Sequence, residues 1–229
     1  RFNKIMKSEW RDYSNNQHLP KEFKKKIKVL ILPSSRSEFE GHPDYVSSWG
    51  HSTNGFLKII DFLGVKKKDV YLQMHPIWFQ KIYSIDGNNI IDFYKEWANS
   101  NNISVISEKS AFESKDLIAK SEIILINGSS ACFEAGILGK KIINVEKNKF
   151  NYSGICLDVL NQKSIIEIKN WIKNFNPKDT QKRTFRFFYN IMFRISSYES
   201  NVRSNLSPTS YSYSYPKNKI QKIIERAIA

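Results

Sequence analysis

Between residues 27 and 145, short apolar runs and helix-period segments take turns, and this alternation narrows the possible architectures more than any other feature of the chain. The run IKVLILP (27–33) is continuous, rich in β-branched residues and closed by Pro33, the pattern of a strand covered on both faces. NGFLKIIDFLG (54–64) follows with helical spacing and a terminal glycine. DVYLQM (69–74), ISVI (103–106), EIILIN (122–127) and KIINV (141–145) read as further strands. Residues 89–101, 112–121 and 130–139 read as the helices between them. Strands separated by helices at this interval form βαβ units. The expected fold is therefore α/β: a Rossmann-like parallel sheet with helices on both faces, joined by right-handed crossovers.

On either side of this region the pattern changes. Residues 1–26 are polar and aromatic without a sustained period, and are expected to be a linker from a preceding half. Strands are expected to stop after 145. An amphipathic helix over 161–175 completes a domain spanning 27–176. Residues 177–229 form a C-terminal helical extension: a helix mixing arginines with aromatics (180–200), a Ser/Tyr loop (207–216) and a last helix (218–229). The chain opens on Arg1, without an initiator Met or a signal-peptide pattern, so a fragment of a longer protein is expected.

Composition excludes some classes. With 229 residues and 41% apolar content the chain can build a full core. No run approaches the roughly 18 apolar residues that span a bilayer. Cys132 and Cys156 are too few for a disulfide framework and lack metal-ligand spacing, which suits a reducing cytoplasm. Cys132 falls in a helix expected to be buried and reads as a packing residue rather than a nucleophile. The net charge of +14 predicts attraction to polyanions without choosing among nucleic acid, an acidic membrane face and phosphorylated substrates. The lysine runs at 21–28 and 65–69 end where strands begin and read as solvated surface.

In an open parallel sheet, ligands bind outside the carboxyl ends of the strands. Three strand ends carry residues suited to anion binding. After 122–127 comes Asn127-Gly128-Ser129-Ser130, where glycine admits an anion close to the backbone, the serines offer hydroxyls and a helix begins. Glu134, one turn further on, is placed to accept hydroxyl groups; it is not a capping-box residue, because Phe133 holds that position. His75 and Pro76 follow the strand at 69–74, and a histidine fixed there can donate to a phosphate. Ser34, Ser35 and Arg36 follow the first strand, Arg36 being suited to bidentate phosphate contact. His42, Asp44 and His51 lie beyond, but their spacing matches no metal-ligand set, and no metal is expected.

The pairing of HP with NGSSACFEAGILGKKIINV two strands later resembles the donor-nucleotide half of GT-B glycosyltransferases. The likeness is nearest to bacterial capsule and lipopolysaccharide synthesis enzymes of the Kdo and sialic acid transferase kind. It covers about residues 27–150 and extends to glycerophosphate transferases and UDP-N-acetylglucosamine 2-epimerases. Lys141 stands where those proteins usually have proline, which leaves the strand intact. The resemblance implies that His75 contacts phosphate or ribose, that Ser129 and Ser130 hold phosphate, and that Glu134 holds ribose hydroxyls. It implies a nucleotide-sugar co-substrate, with a CMP-sugar favoured and a UDP-sugar second, no other cofactor, and a glycan or lipid-linked glycan acceptor. The catalytic base of such enzymes commonly lies in the other half; within this chain Glu38 and Asp44 are the candidates. Cytoplasmic location follows, with peripheral contact at an anionic inner-membrane face through the helix at 183–198, unless that helix simply closes the core.

Two other readings compete. A polyanion- or nucleic-acid-binding module would use the charge and the interleaved aromatics, but the basic residues are spread out and no nucleic-acid-binding motif is present. An epimerase of the same fold would share the nucleotide site.

Overall fold

A computed structural model describes residues 27–34, 47–75, 87–107, 114–191, 203–207 and 210–214. Six strands make one parallel sheet: β1 (Ile27–Leu32), β2 (Val70–Gln73), β3 (Ser104–Ile106), β4 (Ser121–Ile126), β5 (Lys141–Asn144) and β6 (Leu157–Asp158). The helices among the described residues are α1 (Ser52–Phe62), α2 (Gly87–Ser100), α3 (Ser114–Lys120), α4 (Ala131–Ile137), α5 (Glu167–Lys173) and α6 (Pro177–Tyr189). The spatial order is β3-β2-β1-β4-β5-β6. This is the doubly wound Rossmann order, and its direction of travel reverses between β1 and β4.

The pleat explains why the strand sequences are apolar throughout. Val29, Ile31, Leu72, Ile123, Leu125 and Ile143 join one core with Phe56, Ile59, Ile60, Tyr94 and Ile168. Leu30, Ile124, Ile126 and Ile142 have the opposite parity and are just as buried, as are Leu117, Ile118, Cys132 and Ala135 of α3 and α4. Each such aliphatic side chain contributes about 1.5–3 kcal/mol when taken from water. Charge sits at the sheet margin, where Lys28 pairs with Glu122 at 2.9 Å.

Several expectations need correction. The strands do not stop at 145: β6 pairs with β5, but its two residues, Leu157 and Asp158, are too few for any periodicity to register. The helix expected over 161–175 divides into a 3-10 turn, Gln162–Ile166, and α5. Asn161 and Ser164 close a reciprocal capping box at its start. The Ser/Tyr tract is not a loop. Strand β8 (Ser210–Ser214) runs antiparallel to β7 (Arg203–Ser207), with Ser207 opposite Ser210. Alternating Ser and Tyr is a period-two pattern, and the turn-forming habit of serine masked it. The segment 1–26 and the helix expected at 218–229 lie outside the described residues.

Two compact units divide the chain at Thr184/Phe185; the six-stranded sheet belongs to the first and the antiparallel pair to the second. No helix among the described residues is long and apolar enough to cross a membrane.

Candidate functional site

The β4–α4 turn is built by its side chains before any ligand is considered. Asn127 is buried, and its Oδ1 accepts a 2.6 Å hydrogen bond from the Ser34 amide, while its Nδ2 donates to Ser52 Oγ at 3.2 Å. One carboxamide thus ties the ends of β4 and β1 to the start of α1, across the point where the strand order reverses. Next comes Gly128 with φ +105°, a left-handed value that a side chain would resist. Ser129 Oγ accepts from the Ala131 amide at 3.3 Å. The carbonyls of Ser129 and Ser130 accept from Cys132 and Phe133.

These bonds change the expected cradle. The helix's own first-turn amides are consumed by the two serines. The amides that make no hydrogen bond to a described residue are those of Gly128, Ser129 and Ser130, in the turn itself. Helix α4 has only seven residues, so its aligned dipole is short and the local donors carry the electrostatics.

A cavity of about 60 Å³ opens beside this turn, lined by His75 and Gln73 from β2's end, Leu32 and Pro33 from β1's, Ser114 from α3 and Ser129, Ser130 and Glu134. Met74, between Gln73 and His75, is anchored by a 2.9 Å amide bond to the Ile106 carbonyl of β3. Four of the expected residues therefore converge: His75, Ser129, Ser130 and Glu134. Ser34, Asn127 and Gly128 sit on the same rim and shape it. Ser35, Arg36, Glu38, Asp44 and Pro76 lie outside the described residues. Whole small-molecule sites run to about 300–1,000 Å³, so this volume fits one polar group such as a phosphate.

Sequence reasoning missed Gln73 and Ser114. A signal for Gln73 existed: a carboxamide inside YLQM, where a strand covered on both faces should be apolar. His51 was grouped with possible metal ligands, and the structure gives it another task. Its Nδ1 accepts from the Thr53 amide at 3.2 Å, capping α1, and its ring lies 4.9 Å from that of Phe93. Among the described residues, no group of three or more His, Cys, Asp and Glu could hold a metal ion.

A larger concavity, about 320 Å³, lies beside Trp49, Asn54, Leu57, Lys58 and Gln162. It is lined by none of the residues expected to bind an anion and by one cationic side chain, Lys58, so we place the candidate site at the smaller cavity, where the expected donors converge. Both cysteines are buried and unbridged, and hydrogen bonding to Cys132, then burial, push the Cys156 thiol well above its usual range.

Sheet order and a polar cavity at the strand-order reversal define a Rossmann-like α/β domain with its candidate site on the carboxyl rim. No family model and no curated protein matches the chain. Solved structures similar to it include a UDP-GlcNAc 2-epimerase from Neisseria meningitidis bound to UDP-GlcNAc, at 15% identity and a TM-score of 0.39, covering 80% of this chain and 42% of that one. Another is KpsC, the beta Kdo 2,4 transferase of Thermosulfurimonas dismutans, at 12% identity and a TM-score of 0.37, covering 94% and 55%. The wall teichoic acid polymerase TagF is similar at 13% and 0.37, covering 99% and 49%. The chain thus spans about half the length of the structures it resembles. Likenesses this distant say nothing of chemistry, and the fold class stands on the sheet itself.

Proposed function

We propose that this domain binds the nucleotide of a sugar donor and serves glycosyl transfer. The observation that carries this reading is the convergence of His75, Ser129, Ser130 and Glu134 on one cavity at the strand-order reversal. Hydrogen-bond donors and a carboxylate lining one cavity suit a phosphate ester of a hydroxylated sugar. In the reaction an acceptor hydroxyl attacks the anomeric carbon, a general base takes its proton, and the nucleotide departs with the bonding electrons. The turn amides at 128–130, the serine hydroxyls and His75 stabilise the charge that grows on the leaving phosphate. A CMP-sugar is the favoured donor and a UDP-sugar the second, following the GT-B resemblance of the sequence. A capsule or lipopolysaccharide glycan as acceptor, and a hold on an anionic inner-membrane face through the +14 charge, belong to the same proposal. An epimerase would share the donor site and differ in the product.

Calorimetric titration of this chain with CMP, CDP, UMP and UDP tests the reading. We expect one of them to bind, and His75→Ala or Ser130→Ala to weaken it about tenfold or more, the scale of a lost charge-assisted hydrogen bond. Absence of binding, or variants that bind as well as the parent, contradicts it. Product analysis with a labelled sugar nucleotide then separates transfer from epimerisation.

A further inference from the structure

Tyr152 stands in the loop that joins β5 to β6, 92% exposed and with φ +60°. A lone exposed aromatic is ordinary, but a bulky side chain in the left-handed region is not, since glycine or asparagine takes such a place with less strain. The fold holds this one there. The Tyr152 amide donates to Asp158 Oδ2 at 2.9 Å, and Asp158 Oδ1 accepts from Asn144 Nδ2 at 3.0 Å and from Asn151 Nδ2 at 2.7 Å. Asn144 is fully buried, and its Oδ1 accepts from Asn148 Nδ2 at 2.8 Å. A buried polar network with its members paired in this way specifies one conformation. Strain is thus maintained at a ring that stays in solvent and adds little to the packing, which points to a use outside the fold.

Charge and position narrow that use. Lys147 and Lys149 are exposed on the same loop, and a Cβ built on Gly154 would land on the guanidinium of exposed Arg183 from α6. None of these three cations forms an ion pair with a described residue. The Asp158 carboxylate is occupied inside the loop, which leaves Glu146 as the loop's other acid. Asn144 ends β5 beside Ile126, the last residue of β4, and Asp158 ends β6 beside Asn144. Neighbouring strands lie about 4.8 Å apart, so Asp158, whose carboxylate holds Tyr152, ends its strand about 10 Å along the rim from the end of β4. Phe150 meets Phe133 of α4 edge-on at 5.1 Å and ties the loop to the helix of the candidate site.

Building on the glycosyl-transfer reading, we infer that this loop, together with Arg183, holds the acceptor, and that the acceptor is an acidic glycan. The flat face of an exposed phenol packs on the C–H face of a sugar ring, and its hydroxyl stays in water or meets the sugar's own. Two lysines and an arginine around it complement acid groups carried along the chain. A neutral glycan forgoes the cations, and an acidic peptide forgoes the ring. Binding gathered here, away from the reacting atoms, positions the end of the chain toward a donor held at the cavity.

Nuclear magnetic resonance titrations of the isotope-labelled chain test this with three probes: hexagalacturonate, an acidic glycan; maltohexaose, a neutral one; and hexaglutamate, which carries acids without rings. We expect hexagalacturonate to bind at least about fivefold tighter than either and to move the amides of residues 147–154. Tyr152→Asn, at ease in the left-handed region, should keep or raise the melting temperature. It should weaken hexagalacturonate about fivefold, and hexaglutamate and any bound nucleotide less than about twofold. A lower melting temperature, equal losses for glycan and peptide, or hexagalacturonate that fails to bind or binds no tighter than the controls overturns the inference. An oligothymidylate that moves the same amides and binds tighter than hexagalacturonate overturns it in favour of nucleic acid. Should Tyr152→Asn not fold, the double variant Lys147→Gln, Lys149→Gln decides: hexagalacturonate affinity should fall about tenfold, and unchanged affinity overturns the inference. If a nucleotide binds and hexagalacturonate does not, this inference alone fails. If hexagalacturonate binds through Tyr152 and no nucleotide binds, the nucleotide-site reading falls and the glycan surface stands.

Discussion

At the scale of single residues, the site works by dividing tasks between look-alike side chains. Asn127 and Gln73 are both buried carboxamides on strand ends. The first spends both ends of its amide on Ser34 and Ser52, while the oxygen of the second is buried without a partner among the described residues. Ser129 uses its hydroxyl oxygen and carbonyl to hold the turn, and exposed Ser130 makes no side-chain cap bond. The cysteines show the same economy. The Cys156 thiol is held above its usual 9.0, so it stays neutral through pH 7–8. Because the folded value is raised, the stabilisation is whole below the unfolded value and declines as pH climbs through the folded one. Both thiols are buried, so native protein at pH 8 should resist iodoacetamide at Cys132 and Cys156, and the urea-unfolded chain should be alkylated at both. Rapid labelling of either thiol in the native state, read by mass spectrometry, contradicts this. At this scale sequence was a partial guide. It drew attention to His75, Ser129, Ser130 and Glu134, because residue type and position after a strand suffice for that. It could not distinguish Asn127 as a tie or His51 as a cap, because both depend on partners that the fold brings near.

At the scale of elements, the short α4 is positioned by its contact with α6. A Cβ built on Gly136 lands on Thr184 Oγ1 and 3.0 Å from its Cγ2, so the Thr184 side chain packs directly against the Gly136 backbone. Gln181 Nε2 donates to the Ile137 carbonyl at 2.9 Å and finishes the helix. Thr184 turns its hydroxyl onto the Thr180 carbonyl at 2.7 Å, which lets a polar residue be fully buried. Gly136→Ala should lower stability by about 1–3 kcal/mol through overpacking. Thr184→Ala in the same chain should return part of the loss. Urea midpoints measure both, and an unchanged midpoint for Gly136→Ala refutes the close contact. The elements themselves were mostly legible. Apolar strands and amphipathic helices announce themselves by period, and β1, β2, β4, β5 and the helices between them lie within a few residues of expectation. What escaped was short or ambiguous in composition: β6, with two residues, and the polar pair β7 and β8.

At the scale of the molecule, the sheet's order gives the scattered residues their meaning. His75 and Ser129 are 54 positions apart by their numbering and meet only because β2, β1 and β4 end on one rim. Parallel strands put every carboxyl end on the same side, and the reversal between β1 and β4 leaves a crevice there. Net charge acts over a longer range, drawing anions toward the surface without selecting a place. The cavity selects, and the charge recruits. Sequence could supply the charge and the alternation, but the reversal is a property of strand order, which depends on packing between distant segments.

The central claim is that a nucleotide docks at this rim, and its most direct test is a map of amide shifts. Titrating isotope-labelled protein with CMP and with UDP should perturb the amides of Gly128, Ser129 and Ser130 together with His75, in one saturable curve for whichever nucleotide binds. Perturbations confined to the concavity at Trp49, Asn54 and Lys58, or scattered over surface lysines without saturation, would contradict the account.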